Sequence, residues 1–386
     1  MVLRVIHSAP VWLPATQTWM HTQARALPED IENHVVCERT QNLSAFPMAN
    51  IHALAEGPRL AHLWDRGMRG FGLRPYLGHL PRVARRIDAD LIHSHFGHIG
   101  WGDLGAVGRV RAKHVVTFYG QDLAYLPAQD PRWRTRYADM FRRVDLVLCE
   151  GPHMASELVE LGCPAEKVTV QRLGVDLAAF TFTPRRRGEG ELFKVLMAGS
   201  FTEKKGIPDG LQALGLIAAE VDLRVTLIGD ANDKPRNQTE KKRILTAIEE
   251  AGLTDKITLP GYQSHGVLLQ EALEHQVFLS PSVHAADGDT EGGAPVTIIE
   301  MAATGMPVVS TRHCDIPAVI REGEGGLLAD EGDVDGLAEH LLALASRPDT
   351  WEVMGRCARD HITANYDMRK QGEALAAIYR SVCGAD

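Results

Sequence analysis

Two doubly wound α/β domains are what this sequence predicts, on three observations. Strand-length apolar runs alternate with helical segments, the βαβ rhythm of a parallel sheet covered on both faces. The rhythm breaks once, at residues 181–191 (TFTPRRRGEGE), where proline, glycine and charge replace apolar periodicity as they do in linkers. A chain of 386 residues also exceeds one core of ordinary size. The expected organisation is an N-terminal Rossmann-like domain over residues 1–185, a second Rossmann-like domain over 186–366, and a C-terminal helix at 367–386.

Taken in order, the first half offers the strand runs LRVIHS, HVVCE, LIHSHF, KHVVTFYG and VDLVLCE, with amphipathic segments between them. After the break, Phe193 to Gly199 begins a second series, continued by VDLRVTLIGD, DKITLPGY, QVFLSPSV and MPVVST. A last helix, about residues 369–382, spaces Leu375, Ala376, Ile378 and Tyr379 for packing on a neighbour. The densest stretch is 287–316, DGDTEGGAPVTIIEMAATGMPVVSTRHCDI, which holds an acidic glycine loop, a short helix and a buried strand. Gly292, Gly293 and Pro295 open that helix, whose first-turn N–H groups and positive dipole end suit an anion. Gly305 closes it, Pro307 cannot continue it, and Val308-Val309-Ser310 reads as a strand. Such a loop lies beside strand ends, where open α/β sheets bind ligands.

Composition excludes more than it identifies. Hydrophobic residues at 45% and charged residues at 24% are globular values, and a formal charge of -9 argues against nucleic acid as a partner. The six cysteines are scattered without a paired or zinc-like spacing, which fits a reducing compartment. Residues 1–9 are too short for a signal-peptide core and read as a first strand, and no apolar run reaches the ~18 residues that would span a bilayer. A cytoplasmic protein, soluble or peripheral at the inner face of a membrane, is the expectation.

Four blocks carry a family resemblance: SFTEKKG at 200–206, GDTEGGAPVTIIEMAATGMPVVST at 288–311, HCDIPAVIREGEGGLLADEGD at 313–333 and LGVDLAAF at 173–180. In this order, within two α/β halves, they resemble the GT-B glycosyltransferases, more narrowly the retaining GT4 family in its exopolysaccharide branch, to which STRHCDIPAVI also points. The resemblance implies a GT-B fold with a cleft between the domains and a C-terminal helix that crosses back to the first. It implies a nucleoside diphosphate sugar donor bound mainly by the second domain, UDP ahead of GDP, a saccharide or lipid-linked acceptor, and neither cofactor nor metal.

Residue by residue, Glu291 and Glu300 match the family's glutamate pair, the first near the transferred sugar and the second on the ribose hydroxyls. Carboxylates suit both tasks, since ionised acceptors take strong hydrogen bonds from adjacent hydroxyls. GGAPVTII puts eight residues between them, one more than the family pattern. Lys205 matches the lysine that neutralises the diphosphate, where a fixed ammonium stabilises the charge gathering on the leaving group. Ser200 stands at the family's arginine position, with Lys204 or His284 as substitutes for that charge. Loop amides near Gly292, Gly293 and Ala294 are expected to cradle charge, while Gly229, with Asp230, and Gly261, with Tyr262, stand where the family lines the nucleotide base. Asp287-Gly288-Asp289 looks like the metal motif of the other glycosyltransferase architecture, but acidic loop capping is the preferred account.

In the first domain, His93-Ser94-His95 and Val116-Thr117-Phe118-Tyr119-Gly120-Gln121-Asp122 end strands and should reach the ligand. The family often carries histidine where Tyr119 stands, near the donor sugar. His95, Tyr119, Asp122 and Thr16 are the sugar- or acceptor-side candidates, with His93 read as a hydrogen-bonded core residue and His95 and Asp122 open between the two roles. Seven arginines between residues 59 and 86 (Arg59, Arg66, Arg69, Arg74, Arg82, Arg85, Arg86), set against Asp65 and interleaved with Trp64, Phe71 and Tyr76, suggest an anionic membrane surface as a partner. The resulting expectation is a retaining hexosyltransferase for polysaccharide or glycolipid synthesis. Alternatives are a sugar-nucleotide-binding module without turnover and a GT-B sugar-nucleotide epimerase. A nicotinamide-dependent dehydrogenase is disfavoured, because no GxGxxG follows the first strand.

Overall fold

Strands in which nearly every residue is apolar can be buried only if helices cover both faces of their sheet, and a computed structural model shows this arrangement in both halves of the chain. It describes residues 2–14 and 19–385. The chain divides into one unit of Met1–Val175 with Asp367–Asp386, and a second of Asp176–Tyr366.

In the first unit the strands are β1 (Leu3–Ser8), β2 (Val11–Trp12), β3 (Ile31–Cys37), β4 (Arg39–Thr40), β5 (Ile51–Ala53), β6 (Leu91–His95), β7 (Lys113–Thr117), β8 (Leu146–Cys149) and β9 (Val168–Val170). One sheet has the order β5-β3-β1-β6-β7-β8-β9, with β2 and β4 paired separately. Every pairing is parallel. The chain works outward from β1 through β3 and β5, then returns to β6 on the other side of β1, so the order reverses between β1 and β6.

On one face Leu3, Val5, Leu91, Val115 and Leu148 pack against Leu375, Ala376 and Tyr379 of the C-terminal helix Met368–Cys383. The expected return of that helix to the first unit is what the structure contains. Asp367 begins it by accepting a hydrogen bond from the Arg369 N–H at 2.8 Å, and burial of each large apolar side chain contributes roughly 1.5–3 kcal/mol. On the other face Ile6, Val36 and Ile92 meet Leu80, Val83 and Ala84 of the helix Leu80–Ile87.

The second unit repeats the plan with β10 (Phe193–Ala198), β11 (Leu223–Ile228), β12 (Ile257–Gly261), β13 (Val277–Ser280), β14 (Val308–Thr311) and β15 (Gly326–Ala329), ordered β12-β11-β10-β13-β14-β15. Here the reversal falls between β10 and β13.

The boundary differs from the expected 185/186. Residues 176–185 belong to the second unit, because the charged stretch taken for a solvated linker contains an anchor. The Arg185 guanidinium is buried, donating to the carbonyls of His275 at 2.9 Å and Ala272 at 2.7 Å, to the Thr304 hydroxyl at 3.0 Å, and to the Thr183 carbonyl. Arg359 adds donations to the carbonyls of Phe180 and Ala303, both at 2.6 Å. A buried cation satisfied by carbonyls reads, in sequence alone, like any surface arginine.

Candidate active site

At the reversal in the second unit the loops leaving β10 and β13 approach closely, as do those leaving β10 and β11 on the other side of β10, and one glycine makes each approach possible. A Cβ on Gly206 would lie 1.8 Å from the Pro281 carbonyl oxygen, and the residue holds φ +57; a Cβ on Gly229, at φ +142, would lie 1.8 Å from the Gly199 carbonyl oxygen. Only glycine fits either place.

The first approach joins Lys205 to Glu291. The ammonium lies 2.8 Å from one carboxylate oxygen and 3.0 Å from the other, and the Ser282 hydroxyl donates to the first at 3.0 Å. Burial pushes the Glu291 carboxyl up, but the charges of Lys205 and Lys204 outweigh it and hold the group below the usual carboxylate value. The pair is therefore ionised, and Glu291 and Lys205, expected to serve sugar and diphosphate, sit together.

Behind Glu291 stands His313, fully buried just past the end of β14. Its Nε2 accepts the Glu291 backbone N–H at 3.1 Å, and its Nδ1 faces Glu331 at 2.7 Å. An accepting Nε2 leaves the proton on Nδ1, so the neutral ring bridges Glu331 to the Glu291 backbone. Burial lowers the His313 ring below its ordinary value, against the opposing pull of Glu331. Sequence reasoning quoted His313 and Glu331 within matching blocks but gave them no role; a histidine directly after a buried strand was the available signal.

The acidic loop is held differently from expectation. Asp287 and Asp289 do not cap the helix Val296–Ala303, whose N-cap is Pro295 without a side-chain bond. They pair with cations instead: Arg236 lies 2.7 Å from Asp287 and 3.3 Å from Asp289, and Lys204 lies 3.2 Å from Asp289 while donating to the Thr290 carbonyl at 2.8 Å. Two carboxylates cluster at this loop tip, and attraction to neighbouring cations outweighs a cap. Lys204, a proposed substitute for the missing arginine, is thus engaged by the loop, and His284 is engaged by Glu331 at 2.8 Å. The Gly292 N–H donates to the Thr290 hydroxyl at 3.2 Å and the Gly293 N–H to the Glu291 carbonyl at 3.0 Å. Those glycines therefore shape the loop instead of offering free amides; Ala294 follows them, ahead of Pro295.

Glu300 projects from the helix Val296–Ala303 to His265 Nε2 at 3.0 Å. That hydrogen bond raises the His265 ring above its ordinary value. Ser200 follows β10, Gly229 follows β11 and donates its N–H to the Gly261 carbonyl at 3.0 Å, and Tyr262, 56% exposed, follows β12. Ser200, Gly229 and Tyr262 lie at the carboxyl ends of their strands, all on one side of the reversal.

The first unit carries its own polar cluster at the corresponding strand ends. His95 Nδ1 lies 2.7 Å from the half-buried Tyr119 hydroxyl, His95 Nε2 is 3.0 Å from His7 Nδ1, and His7 Nε2 is 3.0 Å from the Asn33 side-chain oxygen. His93 joins Tyr379 at 2.7 Å and Thr117 at 2.6 Å, the hydrogen-bonded core role expected of it. Asp122 is not open to a ligand: it is buried, and its oxygens accept the N–H groups of Gly97 at 2.6 Å and Tyr119 at 3.0 Å. Burial pushes its carboxyl up to about 6 against those bonds. Asp122 and the buried His95 therefore stand behind Tyr119, and Tyr119 is the member of that set that reaches the surface. Thr16 lies outside the described residues.

The arginine-rich segment is also reapportioned. Arg69 pairs with Glu38 at 2.7 Å and Asp65 at 2.8 Å, and Arg74 with Asp65, so these cations turn toward the protein. On the helix Arg59–Gly70 and just beyond it, Leu60 (81%), Leu63, Trp64 (70%) and Phe71 (83%) are exposed, and helical spacing puts them on one face. The polar side, with buried Asp65, faces inward. No helix among the described residues is long and apolar enough to cross a membrane.

Comparison with known proteins matches residues 16–179 to the family described as Glycosyltransferase Family 4 and residues 193–347 to Glycosyl transferases group 1. WcaL of Salmonella typhimurium, a candidate colanic acid biosynthesis glycosyltransferase, is 32% identical over 308 residues, 78% of this chain and 73% of that one. The amylovoran biosynthesis glycosyltransferase AmsK of Erwinia amylovora is 32% identical over 293 residues, 75% of this chain and 70% of its own. In fold, the chain is similar to Anabaena HepE in complex with UDP-glucose, with a TM-score of 0.78 at 15% identity over 98% of this chain and 100% of that one. The expected GT-B class, two parallel-sheet α/β domains, is the class found, and on the identity to WcaL and AmsK over most of their length the protein belongs to the family 4 glycosyltransferases.

Proposed function

We propose that this glycosyltransferase moves a hexose-type sugar from a nucleoside diphosphate donor, UDP ahead of GDP, to a saccharide or lipid-linked acceptor during exopolysaccharide synthesis, with retention and without a metal. The observation that carries the reading is the Lys205–Glu291 pair, 2.8 Å apart at the reversal of the second sheet. The names of WcaL and AmsK, which refer to colanic acid and amylovoran biosynthesis, and the UDP-glucose complex of HepE support the donor and acceptor classes.

In this reading Lys205 holds the diphosphate, Glu291 the transferred sugar and Glu300 the ribose hydroxyls. The bond from the anomeric carbon to the diphosphate oxygen breaks with its electron pair on that oxygen. The acceptor oxygen bonds to the same face of the carbon, and its proton passes to the departing diphosphate. The Lys205 ammonium stabilises that anion while Glu291, already ionised, faces the sugar's hydroxyls. Asp287 and Asp289 are neutralised by Lys204 and Arg236, which supports a metal-free reaction. The test is transfer from a panel of UDP- and GDP-sugars to a glycan and lipid extract with excess EDTA, followed by NMR of the new linkage. An α-linked donor should yield an α-linked product; an inverted linkage, or activity that EDTA abolishes, contradicts the reading.

We also propose that the exposed face of Leu60, Leu63, Trp64 and Phe71 lies on an anionic membrane, with Arg59 and Arg66 at its flank. An outward apolar face with aromatic residues suits the interface between headgroups and acyl chains. Sedimentation with phosphatidylglycerol-containing vesicles should recover the wild type, and a Trp64→Ser/Phe71→Ser variant about 10-fold less. Equal recovery of both would end this reading.

A further inference from the structure

Four polar side chains in the first unit form a chain whose direction is fixed at one end. Asn33, on β3, sends its side-chain Nδ2 to the Ala24 carbonyl at 3.1 Å. Turning the amide over would set two acceptor oxygens against each other, so the amide nitrogen belongs on Ala24 and the amide oxygen on His7. That oxygen accepts only, so His7 Nε2 carries the proton, at 3.0 Å. Burial takes the His7 ring down to about 4 and the His95 ring well below its ordinary value, so each is neutral and holds one N–H. His7 Nδ1 must then accept, and His95 Nε2, 3.0 Å away, donates to it. The other His95 nitrogen, Nδ1, is left as an acceptor, facing the Tyr119 hydroxyl at 2.7 Å.

We propose that Asn33, His7 and His95 are positioning residues that commit the Tyr119 proton to His95, making the phenol oxygen a hydrogen-bond acceptor for a hydroxyl of the bound sugar. Tyr119 follows the end of β7, beside the reversal between β1 and β6, where sheets of this class bind ligands. It is half-buried, whereas His7 and His95 behind it are buried. A phenol that has spent its only proton inward attracts a sugar hydroxyl and disfavours a carboxylate or phosphate oxygen at the same point. The direction of the chain stands on hydrogen-bond geometry and on the neutrality of the two buried rings; the sugar hydroxyl rests on the glycosyl-transfer reading.

Two measurements separate these halves. In uniformly nitrogen-15-labelled protein, long-range proton–nitrogen correlations of the buried histidines should show pyrrole-like Nε2 and pyridine-like Nδ1 for both His7 and His95. A protonated Nδ1 on His95 overturns the proposal whatever the enzyme transfers. The second measurement uses the donor that supports transfer and its monodeoxy analogues. Tyr119→Phe should lower kcat/KM about 5-fold to 10-fold, and one analogue, lacking the partner hydroxyl, should lose no more with Tyr119→Phe than with the wild type. Losses that multiply for every analogue overturn the sugar contact. His95→Gln, whose amide can accept from Tyr119 and donate to His7, should keep more activity than His95→Leu; equal activities would reduce His95 to packing.

Discussion

Glu291 shows how one side chain's surroundings set its chemistry. Desolvation alone would neutralise a carboxylate so buried, yet Lys205 and Lys204 keep it ionised below the usual carboxylate value. A carboxyl whose folded pKa is depressed adds stability above its unfolded pKa, and that stability is lost as pH falls through the folded value. Denaturant titrations from neutral pH down through the carboxylate range should therefore show a steeper loss in the wild type than in Glu291→Gln. Parallel curves would mean that the pair is not ionised in the free protein. Asp122 runs the opposite way: raised to about 6, it favours the fold at low pH, and that contribution fades as pH rises through about 6. The two glutamates and Lys205 were visible in sequence because the blocks that hold them resemble the family's, although Glu300 lies on the helix Val296–Ala303 and not in the glycine loop. His313 and Arg185 were not, since burial and partners distinguish a bridging histidine or an anchoring arginine from a surface one, and neither can be seen in a string of letters.

Among elements, the loops leaving β10 and β13 depend on Gly206. Alanine there would suffer both the positive φ and the Pro281 oxygen at 1.8 Å, whereas Gly252, at φ +64, has nothing within 4 Å of an added Cβ. Gly252→Ala should cost about 1 kcal/mol from backbone strain alone. Gly206→Ala should cost more than that and also depress transfer, because Lys205 is its neighbour. Equal melting temperatures for the two variants would show that the close approach is dispensable. Strand positions were legible because continuous apolar runs bounded by glycine and proline have few other readings. The helix Arg59–Gly70 was legible as a surplus of arginines interleaved with aromatics but not in its orientation: only the buried Asp65, with its partners Arg69 and Arg74, shows that its apolar face points outward.

For the whole molecule, both units use one device. Each sheet is parallel, each reverses its order beside its first strand, and each gathers polar side chains at the carboxyl ends next to that reversal. The return of the last helix to the first unit was implied by the family resemblance, whereas alternating runs in the sequence were enough to foresee two such sheets. Those runs placed the boundary at 185/186 instead of 175/176 because the anchor Arg185 lies within a stretch of linker-like composition. The central claim is that the strand ends of the second unit bind a nucleoside diphosphate sugar through Lys205 and Glu300. Thermal shift against UDP- and GDP-sugars tests it most directly, because a ligand bound only by the native state at 100 times its Kd adds about 2.7 kcal/mol. The account predicts that at least one donor raises the melting temperature of the wild type, and that Lys205→Ala and Glu300→Ala each reduce that rise. If no donor shifts the wild type, or both variants respond as it does, the claim is contradicted.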